Sequence, residues 1–196
     1  MGKDVEVFIE YCKDAKIVVD VGAQKGEFIN YANNNMSGGK IYSLEPDPKY
    51  YETLQKIQPN SSNEIILMNQ AAGSSKGTSK LYNTGTARMV VLANKDSNNY
   101  VEVQVDTLDN LFPFEVDLVK VDVEAFEYEV IMGSKTHLKR GTPFLVEIHD
   151  KWLREIGKSK DDIIKLFSDE GYHSEFLYRP SHQLNHADLY YYMFTK

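Results

Sequence analysis

Acids and a histidine stand where buried strands ought to be apolar. "IVVDV" (17–21) holds Asp20, "IYSLEP" (41–46) ends on Glu45 and Pro46, "LVKVDVE" (118–124) ends on Asp122 and Glu124, and "FLVEIH" (144–149) ends on His149. A carboxylate at the end of a buried strand must meet water, a cation or a hydrogen-bond donor. Asp122 and Glu124 lie two apart, so on one strand both side chains point the same way. Such groups bind an ammonium or a hydroxyl, repel phosphate, or accept a proton. His149 is the best suited to move a proton, because its ordinary pKa is about 6.5.

The residues after Asp20 read "GAQKGEF". Gly22 and Gly26 would let a ligand come close to the backbone, and the following helix would offer its first N–H groups. A dinucleotide fingerprint needs glycine at position 24, where Gln24 stands, and no Lys-Ser/Thr pair of a phosphate loop follows. The expectation is a nucleoside-type site without a pyrophosphate clamp. Glu45 falls about 20 residues beyond the glycine turn, where one carboxylate can hold both ribose hydroxyls. Oxygens of Asp122, Glu124, Glu147 and Asp150 offer a metal-assisted variant, but no dense acidic cluster demands it, and no metal site is expected. His182 and His186 have a zinc-like spacing, yet they fall in a Pro-flanked loop with no cysteine near.

Short β-branched runs alternate with amphipathic segments. Strands are expected over 16–21, 40–46, 63–73, 116–124 and 143–150, and helices over 25–35, 47–60, 125–141 and 159–171. Asp47 and Pro48 form a helix start, as does Ser159. The stretch 74–105 is rich in Gly, Ser, Asn and Thr around short β patterns, which predicts a small antiparallel insertion. "YHSEFLYRP" and "LYYYMFTK" read as two closing strands joined by a short loop, hence antiparallel. The fold class is α/β: a Rossmann-like, doubly wound, mostly parallel seven-stranded sheet with an antiparallel C-terminal strand. One domain over 1–196 is expected, with an N-terminal helix over 1–15 and a binding core over 16–196.

With 22 Lys and Arg against 29 Asp and Glu, the net charge is −7, which disfavours nucleic acid and anionic membranes as partners. No apolar run reaches the ~18 residues of a membrane span. The N-terminal stretch has neither a signal nor a transit pattern, and the single Cys12 fits a reducing, cytoplasmic setting. Oligomeric state stays open.

Taken in order, "VVDVGAQKGEF", "YSLEPDPKYYETL", "MNQAAGSSKGTSKLY", "DLVKVDVEAFEYEVIMGS" and "FLVEIH" resemble the FkbM-like family of class I S-adenosylmethionine-dependent methyltransferases, over about residues 16 to 194. Ala125 departs from the glycine usual after the D-x-E of that family. The resemblance implies S-adenosyl-L-methionine as cofactor, held by Asp20, by the backbone of Gly22, Ala23, Gln24 and Gly26 along its methionine part, and by Glu45 and Pro46 at the ribose. Asn69, Gln70 and Ala71 would lie along the adenine, with Asp122 completing the site. It also implies a small-molecule or glycan hydroxyl as acceptor, with Asp122, Glu124 and His149 as catalytic candidates. N-methylation of a protein or nucleic acid, and a non-catalytic binding module, are the alternatives.

Overall fold

The structure, a computed structural model, describes residues 2–60, 62–83, 87–88, 100–180 and 188–196; His182, His186 and the side chain of Arg88 lie outside the described residues. The chain opens with α1 (Lys3–Cys12), β1 (Ile17–Val21), α2 (Glu27–Asn35), β2 (Gly39–Leu44), α3 (Pro48–Leu54) and β3 (Asn63–Met68). A small sheet follows from β4 (Ala71–Ala72), β5 (Gly77–Asn83), β6 (Ala87–Arg88) and β7 (Tyr100–Asp106). Then come α4 (Leu108–Leu111), β8 (Leu118–Val121), α5 (Glu127–Met132), α6 (Lys135–Arg140), β9 (Phe144–His149), α7 (Asp150–Glu155), α8 (Lys160–Asp169), β10 (His173–Tyr178) and β11 (Leu189–Thr195).

Among the described residues the main sheet has seven strands in the order β10-β11-β9-β8-β1-β2-β3, and the insertion has four in the order β4-β7-β5-β6. β1 pairs in parallel with β2 and β8, and β8 with β9, whereas β11 runs antiparallel to both β9 and β10. The strand order reverses around β1, so the carboxyl ends of β1 and its neighbours open a crevice there. No helix among the described residues is long and apolar enough to cross a membrane.

Period-two alternation divides the strand residues between two faces. Val19, Val21, Val119, Val121, Phe144, Val146, Ile148 and Phe194 pack with Val130 and Ile131 of α5, Leu138 of α6 and Phe167 of α8. On the other face Val18, Leu118, Leu145 and Met193 pack against Phe8 of α1 and Ile29 and Ala32 of α2. Phe8 and Phe28 meet edge to face at 4.8 Å and join the two covering helices.

Local chemistry explains most boundaries. The Asp47 carboxylate accepts from Lys49 N at 2.8 Å and Pro48 takes the first helical position, so α3 starts as expected but ends at Leu54. The run 63–73 breaks at Asn69, whose Nδ2 donates to the carbonyls of Glu45 and Pro46, and the chain then leaves the main sheet for the insertion. The helix expected over 125–141 is two helices. Gly133 packs so closely on the insertion that a Cβ there would lie 2.0 Å from the Gly73 carbonyl oxygen. The short α4 and α7 were not legible as helices in the sequence, being of four and six residues.

Candidate active site

The ends of β1, β2 and β8, with the segment 70–72 and Leu81 of β5, border a cleft whose space, open solvent at its mouth included, is about 570 Å³. Its polar lining includes Gln24, Glu45, Tyr50, Gln70, Asp122 and Glu124, with the backbone of Gly22, and among the described residues no lysine or arginine lines it. Three carboxylates, with no cation among the described lining residues, suit a positively charged ligand that carries no phosphate.

Glu45 is the best-defined group. Its Oε2 accepts from Gln24 N at 2.7 Å and its Oε1 from Asp47 N at 2.9 Å. Each oxygen keeps a further lone pair for a ligand hydroxyl. Burial pushes this carboxyl up to about 7, against the pull of the two backbone donors. Pro46, Gln70 and Ala71 line the same end of the cleft. Asn69 does not, because its amide is used to clamp the end of β2.

The two glycines divide: Gly22 borders the cleft and Gly26 does not. Gly22 (φ +84°) lines the cleft, but a Cβ on it would meet the Asp122 carbonyl oxygen at 1.8 Å. Gly26 (φ +80°) starts α2, and a Cβ there would strike Ile57 and Leu54. Both bring the protein close to itself: the first turn against the end of β8, the second against the segment after α3. Ala23 is buried, with its N–H donated to Leu44 O at 3.1 Å.

Asp20 does not face the cleft. It is 1% exposed, on the same sheet face as Val18, with Lys120 Nζ at 3.4 Å from Oδ1. Lys120 in turn stands 3.5 Å from Asp122 Oδ2 and 4.6 Å from the centre of the Phe28 ring. Burial works against the ammonium, but the charges of Asp20, Asp122 and Glu147 outweigh it and hold the lysine above its ordinary pKa. A lysine inside the apolar run "LVKV" was the sequence signal for this counterion.

Asp122 and Glu124 both reach the cleft, though not by strand alternation. β8 stops at Val121, and Glu124 (φ +53°) and Ala125 (φ +80°) form a left-handed turn. Glu127 Oε1 secures that turn by accepting from Ala125 N at 3.0 Å. The same oxygen stands 2.8 Å from His149 Nδ1. The His149 ring stacks on Trp152 at 4.8 Å and turns Nε2 to within 3.6 Å of Glu124 Oε2 and 3.7 Å of Glu147 Oε1. Burial lowers the imidazole's pKa, yet Glu127, Asp122 and Glu147 together raise it to about 10. His149 is outside the cleft lining and stands behind Glu124, whose carboxylate lies between the imidazole and the cleft. Glu147, hydrogen-bonded by Tyr191, is pushed up to about 8 by burial and by Asp122. Asp150 accepts from Arg154 and Lys160 N between α7 and α8, which removes it from any metal set.

Sequence reasoning missed Tyr50, Leu81 and Val123 in the lining and Glu127 behind it. Tyr50 sits in the first turn after the Glu45-Pro46-Asp47 start, a usable signal. Glu127 carried none, because an acid in the first turn of a helix is ordinary.

A comparison with protein families matches the description "Methyltransferase FkbM domain" over residues 20–174. Among solved structures, the methyltransferase FkbM from Methylobacillus flagellatus KT is similar with a TM-score of 0.62 at 16% identity, covering 96% of this chain and 50% of that one. This chain thus spans half the length of that relative. A Streptococcus mutans chain described as a methyltransferase, solved in complex with SAH, gives 0.58 at 12% identity over 100% and 99% of the two chains. The N-methyltransferase NodS from Bradyrhizobium japonicum WM9 gives 0.58 at 11% over 98% and 92%. At these identities the structures speak for a shared fold. No curated protein matches.

Proposed function

The chain belongs to the methyltransferase FkbM domain family, and on that premise we propose that it moves a methyl group from S-adenosylmethionine to a hydroxyl of a small molecule or sugar. The observation that carries the reading is Glu45, whose two oxygens are each fixed by a backbone N–H at the rim of a cleft with no cationic side chain among the described residues. The cofactor brings a methyl carbon already activated by its sulfonium. The chain's own work is to bind, align and exclude water. Glu45 would hold the ribose diol, the Gly22–Gln24 turn the amino-acid part, and Gln70-Ala71 with Leu81 the base. Alignment of this kind contributes about 7–11 kcal/mol to lowering a barrier.

Asp122 and Glu124 form the remaining acidic wall, where an acceptor hydroxyl would give up its proton, a step worth about 10²–10⁴-fold. The acidic lining and the net charge of −7 favour a neutral acceptor over nucleic acid.

Calorimetry with S-adenosylmethionine and SAH tests the cofactor site. Both should bind, and Glu45→Ala should weaken each by about 100-fold, as expected for losing charge-assisted hydrogen bonds. Methyl transfer to a panel of sugars and hydroxylated small molecules, read by mass spectrometry, then tests the acceptor. Absence of binding by folded protein, or an affinity unmoved in Glu45→Ala, would sink the cofactor reading. Methyl groups found only on amines would sink the O-directed one.

A further inference from the structure

We propose that Asp122, Glu124 and His149 form a divalent-cation site at the acceptor end of the cleft, where the cation would also take two neighbouring oxygens of the acceptor. The inference rests on the methyl-transfer reading and names its acceptor class: a vicinal diol or hydroxy acid able to chelate. The sequence offered a metal-assisted variant on Asp122, Glu124, Glu147 and Asp150 without demanding one; the fold instead brings Asp122 and Glu124 together with His149 from two strand ends.

One ligand atom from each of these residues lies within 4.8 Å of the others. At metal–ligand distances of about 2.1 Å, adjacent ligands stand about 3 Å apart and opposed ones about 4.2 Å, so side-chain movements of up to about 2 Å close the set. The histidine is the second, independent sign. It is 5% exposed, and Glu127 Oε1 at 2.8 Å from Nδ1 turns Nε2 toward the two carboxylates. A carboxylate behind the remote ring nitrogen is how ligating histidines are oriented. At 3.6 and 3.7 Å, Nε2 is too far from Glu124 and Glu147 for hydrogen bonds and leaves room for a centre between them.

Glu127 does two jobs with one oxygen. It orients His149, and through Ala125 N it holds the left-handed turn that carries Glu124. Two consecutive non-glycine residues at positive φ are a strain that the surroundings must enforce. Asp122 and Glu124 line the cleft, so a cation between them would keep open positions facing the acceptor. One imidazole with two carboxylates suits Mn²⁺ or Zn²⁺ ahead of Ca²⁺.

In the reaction the cation would lower the acidity barrier of a coordinated hydroxyl. The proton leaves to a carboxylate or to water, the oxygen lone pair forms the new O–CH₃ bond, and the S–CH₃ pair stays on sulfur to give SAH. Charge and atoms balance with one proton released.

The test uses the full chain, treated with chelator and dialysed, with free Mn²⁺ followed by electron paramagnetic resonance and Mg²⁺ and Zn²⁺ followed by calorimetry. One Mn²⁺ per chain should bind. Glu124→Gln and His149→Gln should each weaken it at least tenfold, and Glu127→Gln about 10–100-fold. SAH binding measured on the same samples reports folding and the cofactor site independently. Retained SAH binding with no uptake of any of the three cations, or Mn²⁺ uptake unmoved in both Glu124→Gln and His149→Gln, would overturn the metal site alone. Mn²⁺ uptake lost in these variants, in a chain that never binds SAH, would support the metal site and overturn the methyl-transfer reading.

Discussion

The two faces of the main sheet are made by the same strands and end differently. On one, Val19 and Val21, Val119 and Val121, and Val146 and Ile148 stay apolar to the carboxyl ends. On the other, Val18 gives way to Asp20, Leu118 to Lys120, Leu145 to Glu147 and then His149, and Met193 to Tyr191. The polar row is buried: Lys120 is 4% exposed and Asp20 1%. It continues through Tyr191, which hydrogen-bonds Glu147 and stacks on Tyr178 at 4.5 Å, to Asp4 of α1. The first face answers to packing, and only its ends at Val21 and Leu44 touch the cleft. The second is apolar where it supports the fold and ionic where it supports the cleft, so the first can be damaged away from Val21 and Leu44 without touching chemistry, and the second cannot.

The largest effect should come from the apolar face. Phe194 is fully buried and stacks on Phe167 with centroids 3.8 Å apart. Phe194→Ala should lower unfolding stability by about 4 kcal/mol, since large aromatic truncations in cores cost ~3–5 kcal/mol. Urea denaturation reads the loss, and SAH affinity of the folded fraction should stay within about twofold. A collapse of affinity would show that the faces are coupled.

The ionic row should be sensitive in another way. Lys120→Met leaves Asp20 buried without its counterion and should cost about 3 kcal/mol, because breaking one partner of a buried pair leaves an uncompensated charge. Adding Asp20→Asn should recover most of that loss, a pattern no apolar site gives. A double variant as unstable as Lys120→Met alone would mean that the lysine acts through its stem packing rather than its charge.

Next in size is a pH effect at the rim. Glu45 moves from 4.5 to about 7 on folding. A raised carboxyl adds stability that is complete below 4.5 and lost as pH rises through 7. A ligand whose hydroxyls donate to the carboxylate prefers the ionised form, so its affinity should run the opposite way. SAH binding should strengthen by about 25-fold from pH 5.5 to 7.5 and level off above, with proton release on binding below 7. Calorimetry in buffers of different ionisation heat checks both. A flat profile would remove Glu45 from the ribose site.

Much of this was legible beforehand, and the reasons separate cleanly. Strand positions followed from β-branched runs, and the caps Asp47 and Ser159 followed from side chains that bond their own backbone. Glu45 followed from its distance along the chain, because one crossover fixes where the next strand ends. Asp20 was misread because a residue's place near a strand end does not say which face it takes; alternation from Val18 puts it under α2 rather than in the cleft. Gly26 does not line the cleft, because a missing Cβ can admit a neighbouring segment, here Leu54 and Ile57, as readily as a ligand. Glu127 and its link to His149 were hidden altogether, since residues 127 and 149 meet only after β9 pairs with β8.

The smallest effect concerns Ala125, at φ +80° and fully buried, where the family resemblance leads one to expect glycine. A left-handed conformation costs an L-residue about 1–2 kcal/mol, which glycine would avoid. Against this, glycine enlarges the unfolded ensemble by about 0.4–1 kcal/mol, and removing a buried methyl loses about 0.8 kcal/mol. The contributions nearly cancel, so Ala125→Gly should shift stability by less than about 0.5 kcal/mol in a urea titration. Its consequence should lie in the turn: without a side chain, residues 124–125 reach more conformations, and Mn²⁺ affinity should fall a few-fold while SAH affinity holds. A stability loss above about 1 kcal/mol would show that the methyl group packs the turn in place, so that contact rather than Glu127 would be what positions Glu124.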